Sequence, residues 1–268
     1  MTIVKMNLLD LTKICRFERI MENHGQMLEQ YKQQTKCLVA LDSIIFGFDG
    51  EKLQCLLVKR GIQTDQESWS LMGGWLRPDE SLDQAANRIV VELTGLNHVF
   101  LEQLYSFGNP MRDPIERTVS ITYYALINVH AYEEERNKNF IAKWFDLNEL
   151  PPLLFDHHQF IQTAIQALRQ KAAFYPVGFE LLPEKFTLPQ LQALYEAIYM
   201  TTFDKRNFSR KILSLDILEK LEEKQRGFSK KGAYLYRVKE EAKKESANDF
   251  HSIVSNVDGL FRQKLITS

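Results

Sequence analysis

Cysteine is scarce in this chain, with three residues among 268. Cys15, Cys37 and Cys55 are odd in number, and their spacing is not that of a metal site. This pattern argues against a disulfide-stabilised secreted protein and favours reduced thiols in the cytoplasm. Long apolar runs are also missing, and the N-terminal segment does not have the pattern of a signal peptide. We therefore expect a cytoplasmic location and no membrane partner.

An excess of charge of one sign is absent as well, because 34 basic residues are balanced by 35 acidic ones. The balance hides an asymmetry along the chain. Residues 203–239 carry 11 basic and 5 acidic side chains, whereas residues 1–180 carry 18 and 23. A local basic segment suggests that a nucleic acid contacts the C-terminal part. The length leaves room for two modest domains.

The most informative motif that is present is GWLRPDESLDQAANRIVVELTGL at 74–96. Five residues separate Gly74 from Glu80, seven separate Glu80 from Arg88, and Glu92 and Gly95 follow. This spacing resembles the Nudix signature, a loop–helix–loop that hydrolyses nucleoside diphosphates linked to another moiety. We expect Glu80 and Arg88 to brace the loop and Gly95 to end the helix.

Two acidic positions of that signature are apolar in this sequence. In the Nudix family a glutamate follows Arg88 and another follows Glu92, whereas this chain has Ile89 and Leu93. Mg²⁺ prefers several oxygen ligands, and one remaining helix carboxylate does not easily hold the ion and also activate water. We therefore predict no catalytic residue, no metal site and no cofactor: the domain binds a ligand and is not an enzyme.

The segments around this motif predict helices packed on a mixed sheet, in an α/β/α sandwich. An Asp49-Gly50 turn joins two strands, at 37–48 and 53–60. Residues 68–76 lead into the box, the remaining predicted strands lie at 98–106, 118–130 and from 143 onward, and the predicted helices lie at 81–94 and 156–170.

The C-terminal part has the pattern of a winged helix-turn-helix. Thr187 and Gln190 form a capping box at the start of an amphipathic helix. After a turn at 201–203, Asp204 caps a basic helix predicted at 205–213, with Phe208 and Ile212 facing inward. This order is typical of a helix-turn-helix. A further helical piece is predicted at 218–223, and an aromatic wing strand within 225–239.

Residues from about 37 to 240 resemble the Nudix-related transcriptional regulators of the NrtR-like family. Besides the degenerate box, the resemblance depends on FGNPMRDPIERTVSITYYAL at 107–126, FDHH at 155–158 and DKRNFSRKIL at 204–213. The expected fold class is α+β, a Nudix-like α/β/α sandwich with a mixed sheet followed by a C-terminal winged helix-turn-helix. The expected boundaries are an N-terminal extension at 1–35, an effector-binding domain at 36–172, a DNA-binding domain at 173–243 and a tail at 244–268.

The resemblance implies a homodimer that binds a palindromic operator in double-stranded DNA. Arginine and asparagine commonly read base edges, whereas lysine mostly holds phosphate. The predicted DNA-binding residues lie on the basic helix and the wing: Lys205, Arg206, Asn207, Ser209, Arg210, Lys230, Lys231, Tyr234 and Arg237.

The resemblance also implies a small-molecule effector in the Nudix-like cleft, either ADP-ribose or, in a sugar-sensing branch, a sugar such as arabinose. The predicted ligand-binding residues are Arg60, Trp75, Arg77, Glu80, Glu92, Arg112, Asp113, Arg117 and Tyr123. Loss of the metal-binding carboxylates favours a sugar and control of carbohydrate metabolism genes. The arginines would also suit a diphosphate, so an ADP-ribose-sensing regulator of NAD metabolism stays open. The sequence is also compatible with an active Nudix hydrolase and with an RNA-associated or scaffolding protein.

Overall fold

The computed structural model describes residues 27–59, 69–97, 99–129, 142–174, 178–225 and 232–242. The chain divides into two units, residues 1–38 and residues 39–268. In the first unit, residues 27–32 are helical. The predicted Arg60, Lys230 and Lys231 lie outside the described residues.

The elements of the Nudix-like part are strands β1 to β7 and helices α1 and α2. In chain order they are β1 (Leu38–Phe48), β2 (Leu53–Lys59), β3 (Trp69–Ser70), β4 (Met72–Trp75), α1 (Leu82–Thr94), β5 (Glu102–Phe107), β6 (Thr118–Asn128), β7 (Ala142–Asp146) and α2 (His157–Phe174). Within the described residues these seven strands form one sheet, in the order β3-β2-β1-β6-β5, with β4 paired to β1 and β7 to β2.

Alternation along the strands places apolar side chains on both faces of this sheet. On β1, Ile44 and Phe46 belong to the core that α2 covers, whereas Leu41 and Ile45 belong to the core that α1 covers. Successive side chains of a strand point to opposite faces, so a sheet with helices on both sides needs apolar residues at nearly every position. The predicted α/β/α layering with a mixed sheet is confirmed.

The box helix α1 begins and ends where the sequence predicts. Ser81 is the N-cap, and its side chain and that of Gln84 form a reciprocal capping box. Gly95 ends the helix in the left-handed conformation, with a φ of 76°, and its N–H donates to the carbonyl of Val91. Both ends of α1 are therefore fixed by local interactions.

The C-terminal part is a winged helix. Its elements are β8 (Phe186–Thr187), α3 (Leu188–Tyr199), α4 (Lys205–Ser214), β9 (Leu218–Gln225) and β10 (Ala233–Val238). Thr187 and Gln190 make the predicted capping box, and Asp204 caps α4 by accepting from the N–H of Asn207. Among the described residues, β8, β10 and β9 form a three-stranded sheet in that order.

The predicted helix at 218–223 is wrong, because these residues form strand β9. The sequence LEKLEEKQ is rich in helix formers, but a helix this short is marginal by itself. Pairing with β10 supplies a hydrogen-bonded ladder and cross-strand contacts, such as the ion pair between Arg237 Nε and Glu219 Oε2 at 2.8 Å. Tertiary pairing therefore overrides local helix propensity.

Helices α2 and α3 join the Nudix-like part to the winged helix. The Nε of Arg169 on α2 donates to the carbonyl of Ile198 at 2.8 Å, and the hydroxyl of Tyr199 donates to the carbonyl of Arg169 at 2.9 Å. One continuous apolar core contains residues of both parts, including Phe160 and Leu194. The searched residues contain no helix of the length and apolarity that a bilayer crossing requires.

Candidate functional site

The box is held together by a guanidinium–carboxylate brace. Arg88 binds both oxygens of Glu80, with Nε 2.7 Å from Oε2 and Nη2 2.5 Å from Oε1. The same Nη2 donates to the carbonyl of Trp75 at 3.0 Å. Bonding to Arg88 lowers the pKa of Glu80 from 4.5 to about 2, and the backbone N–H of Arg77 adds to this effect. Glu80 and Arg88 therefore tie the loop to α1.

Glu92 lies between two arginines. Its Oε2 is 3.1 Å from Nη1 of Arg88, and its Oε1 is 3.2 Å from Nη2 of Arg77. The side chains of Arg77 and Glu92 are 54% and 50% exposed. Of the three glutamates that the Nudix signature has on this helix, only Glu92 remains, and it is neutralised by two arginines.

The two positions that lost their acids now belong to the core. Ile89 is 2% exposed, and Leu93 packs against the same apolar cluster. A Cβ built on Gly74 would lie 2.9 Å from Cγ1 of Ile89, so a larger residue at position 74 would require the Ile89 side chain to shift. No group of three or more His, Cys, Asp or Glu residues within the searched part of the chain is arranged to hold a metal ion. The carboxylates that remain in the box therefore do not provide the set of oxygen ligands that Mg²⁺ requires.

The predicted ligand residues divide into exposed and buried ones. Trp75, Arg77 and Glu92 lie at the open surface of the box, and the Trp75 side chain is among the exposed large apolar groups at 52%. Tyr123 is 1% exposed, and its hydroxyl donates to Oδ1 of Asp83 at 2.6 Å. Its ring is covered by the core under α1, so the stacking face predicted for Tyr123 is not available in this structure.

The predicted ligand-binding residues Asp113 and Arg117 lie in the loop between β5 and β6, and both form hydrogen bonds within or next to this loop. Asp113 accepts from the N–H of Ile115 and the hydroxyl of Thr118, and Arg117 donates to the carbonyls of Thr118 and Gly108. Internal bonds of this kind order a loop without any ligand.

Arg112 of this loop is buried, contrary to its predicted role as an open phosphate-binding group. Its side chain is 3% exposed and forms a bidentate pair with Asp156, at 3.1 and 2.9 Å, over the ring of Phe160. The next residue of the FDHH motif, His157, accepts from the N–H of Leu71 at its Nδ1, 3.3 Å away. The motif therefore anchors the start of α2 to the loop and to the sheet.

The basic helix α4 presents its polar side chains outward. Lys205, Arg206, Asn207 and Arg210 are exposed, whereas Phe208 is 1% exposed and stacks near Phe203 with ring centroids 5.9 Å apart. Nη2 of Arg210 donates to Oδ1 of Asn207 at 2.7 Å, which places two predicted base-reading groups side by side. Ser209 is half-buried at the edge of this face.

The wing presents two lysines that the sequence interpretation missed. Lys220 and Lys224 on β9 lie over the ring of Tyr234, at 3.7 and 4.4 Å from its centroid. Lys220 was assigned to the incorrect helix at 218–223, and Lys224 fell between that helix and the predicted wing at 225–239. The predicted Arg237 is exposed but is paired with Glu219. An aromatic strand at 233–238 needs a partner strand, and this requirement could have predicted that the preceding segment is a strand.

Comparison with known proteins agrees with this two-part architecture. The family model of the NrtR DNA-binding winged helix domain matches residues 178–238, and that of the NUDIX domain matches residues 38–168. The ADPR responsive transcriptional repressor NtrR of Acinetobacter baylyi is 34% identical over 204 residues, which are 75% of this chain and 81% of that protein. The chain belongs to the NrtR family of Nudix-related transcriptional regulators. The predicted family is thereby confirmed.

Two further matches cover about three quarters and one half of the chain. The crystal structure of Shewanella oneidensis NrtR complexed with a 27mer DNA superposes with a TM-score of 0.66 at 32% identity, covering 76% of this chain and 94% of that chain. The ADP-ribose pyrophosphatase of Methanocaldococcus jannaschii is 31% identical over 136 residues, which are 50% of this chain and 77% of that protein. None of these three relatives supports the predicted sugar-sensing branch.

Proposed function

We propose that this chain is a transcriptional repressor of the NrtR type whose Nudix domain binds ADP-ribose and thereby changes operator affinity. The observation that carries the proposal is the neutralised box, Glu92 held between Arg77 and Arg88, in a chain that also has an exposed basic α4. The relatives support the choice of effector, because one is named for its response to ADPR and another for cleaving ADP-ribose. This choice replaces the sugar preferred from the sequence.

We also propose that the domain does not hydrolyse its ligand. Hydrolysis in this fold requires carboxylates that hold a metal and activate water. Ile89 is buried and Glu92 is paired with two guanidinium groups. Position 93, next to Glu92, is a leucine, so a further carboxylate for hydrolysis is missing. We therefore expect the bound ligand to act as a signal and to be released intact.

Effector binding has a short physical route to the DNA surface. Helix α2 begins at the Arg112–Asp156 pair and ends beside α3, where Arg169 donates to the carbonyl of Ile198 and accepts from the hydroxyl of Tyr199 at its own carbonyl. Helix α3 packs against α4 through contacts that include Tyr195 and Phe208, with ring centroids 5.8 Å apart. A shift of α2 would therefore move the reading helix. In a homodimer on a palindromic operator, such a shift would change the half-site spacing that the two helices reach.

The test uses duplex DNA selected from a random pool by the full chain, with affinity measured by fluorescence anisotropy. We expect a palindromic duplex to be enriched and ADP-ribose to weaken its binding. Arg206→Ala and Arg210→Ala should each weaken it about 10- to 100-fold, the range expected for loss of a base or phosphate contact. Lys143→Ala, an exposed cation of the sensor, is the control and should bind normally. Unchanged affinity in both arginine variants would refute the assignment of α4.

A further inference from the structure

The Nudix family implies a divalent cation at the box, and the residues of this chain do not fit one. Relative to the family pattern, Ile89 and Leu93 remove two negative charges, which matches in size the charge that one Mg²⁺ would supply. We propose that Arg77 binds the diphosphate group of the effector directly, so that binding requires no metal ion. This inference rests on the proposed function and names the group that recognises the effector.

The geometry of Arg77 suits a side chain that exchanges partners. Its backbone is fixed, because its N–H donates to Oε1 of Glu80 at 2.8 Å. Its side chain is 54% exposed, and Nη2 contacts Oε1 of Glu92 at 3.2 Å. An exposed ion pair of this kind contributes about 0–1 kcal/mol, so exchanging the carboxylate for a phosphate costs little. Guanidinium groups bind phosphate oxygens through two parallel hydrogen bonds.

Departure of Arg77 leaves no unpaired acid behind. Glu92 keeps its bond to Arg88, whose Nη1 is 3.1 Å from Oε2. Arg88 in turn is held by Glu80 and by the carbonyl of Trp75, and its side chain is 19% exposed. The two arginines thus have different tasks: Arg88 neutralises the box, and Arg77 is available to a ligand.

Trp75 completes the surface on which such a ligand would lie. It ends strand β4, two residues before Arg77, and its side chain is 52% exposed. An exposed flat ring two residues from an exposed arginine would offer stacking for a base or a ribose in addition to diphosphate recognition. A nucleoside diphosphate derivative combines both groups, whereas a neutral sugar offers nothing for Arg77 to neutralise.

The experiment is calorimetric titration of the full chain with ADP-ribose, in EDTA and again in Mg²⁺. We expect dissociation constants that agree within about twofold. Arg77→Ala should weaken binding at least about tenfold, and Arg77→Lys should fall between, because it keeps the charge but loses the bidentate geometry. Glu92→Gln should bind as tightly as the unmodified chain or more tightly, because the competing acid is removed. Lys143→Ala is the matched control.

If a metal ion bridged Glu92 and the ligand, Glu92→Gln would weaken ADP-ribose binding instead of leaving it unchanged or strengthening it. Binding that needs Mg²⁺, tenfold weaker binding by Glu92→Gln, or normal binding by Arg77→Ala would each overturn the inference. ADP and inorganic diphosphate are titrated in parallel. If ADP-ribose fails to bind but these probes bind in an Arg77-dependent manner, the proposed effector is wrong and the inference stands. If no probe binds, both are wrong.

Discussion

Returning the first missing acid to the box should destabilise the protein instead of restoring a metal site. The perturbation is Ile89→Glu. Ile89 is 2% exposed and packs with Leu41 and Ile45 in the core under α1. Its Cγ1 would lie 2.9 Å from a Cβ at Gly74, so the Ile89 side chain packs directly against the backbone of β4.

The expected penalty combines two effects. Losing the burial of an isoleucine side chain costs about 2–3 kcal/mol. A buried carboxylate without a partner brings the total to about 3–5 kcal/mol at pH 7. Burial raises the pKa of the introduced carboxyl in the folded state above its unfolded value of about 4.3. The folded state then holds more protons than the unfolded one, so the loss of stability is largest above the raised pKa and shrinks as the pH falls toward about 4.3.

Urea unfolding followed by circular dichroism, at pH 7 and at pH 5, measures this penalty. Ile89→Gln is the control, because a glutamine side chain has the same shape as a glutamate side chain but does not ionise. Its stability loss should be equal at the two pH values, whereas that of Ile89→Glu should be smaller at pH 5. A stable Ile89→Glu variant that gains Mg²⁺-dependent nucleotide hydrolysis would refute the reasoning.

Three further predictions concern stability. The lowered pKa of Glu80 means that the Glu80–Arg88 pair contributes stability above pH 4.5 that is lost as the pH falls toward about 2. Acid titrations followed by fluorescence should show this loss of stability in the unmodified chain, whereas the Glu80→Gln variant should not show it. Tyr199→Phe removes one hydrogen bond between α2 and α3 and should lower the free energy of unfolding by about 1 kcal/mol in urea, whereas an unchanged value would mean that the hydroxyl contributes nothing. Phe208→Ala should cost about 3–5 kcal/mol by opening a cavity under α4, and a loss below about 1 kcal/mol would contradict the burial of that ring.

Local signals predict most of the fold correctly. The Asp49-Gly50 turn joins β1 and β2, with Asp49 Oδ1 accepting from the N–H groups of Glu51 and Lys52. The capping boxes at Ser81 and Thr187 mark the starts of α1 and α3. These features are predictable because each depends on residues within three or four positions of one another.

The incorrect helix and the internal partners that the sequence did not predict both concern long-range contacts, which a single sequence does not record. Leu218–Gln225 pairs with a strand that follows it, whereas local propensity alone indicates a helix. The motif around Arg112 predicts a ligand group, but its partner Asp156 lies 44 positions away. Tyr123 likewise bonds to Asp83, 40 positions away. An arginine or tyrosine in a motif is equally suited to an internal partner and to a ligand, and tertiary structure decides between them.

The most direct test of a sensor that binds without cutting follows the ligand and the DNA in one sample. The full chain, its selected palindromic duplex and ADP-ribose are incubated with Mg²⁺, while anisotropy reports operator occupancy and chromatography reports the nucleotide. We expect operator affinity to change with ADP-ribose concentration, and we expect all of the ADP-ribose to be recovered intact. Accumulation of AMP and ribose 5-phosphate, with operator occupancy independent of ADP-ribose, would contradict it.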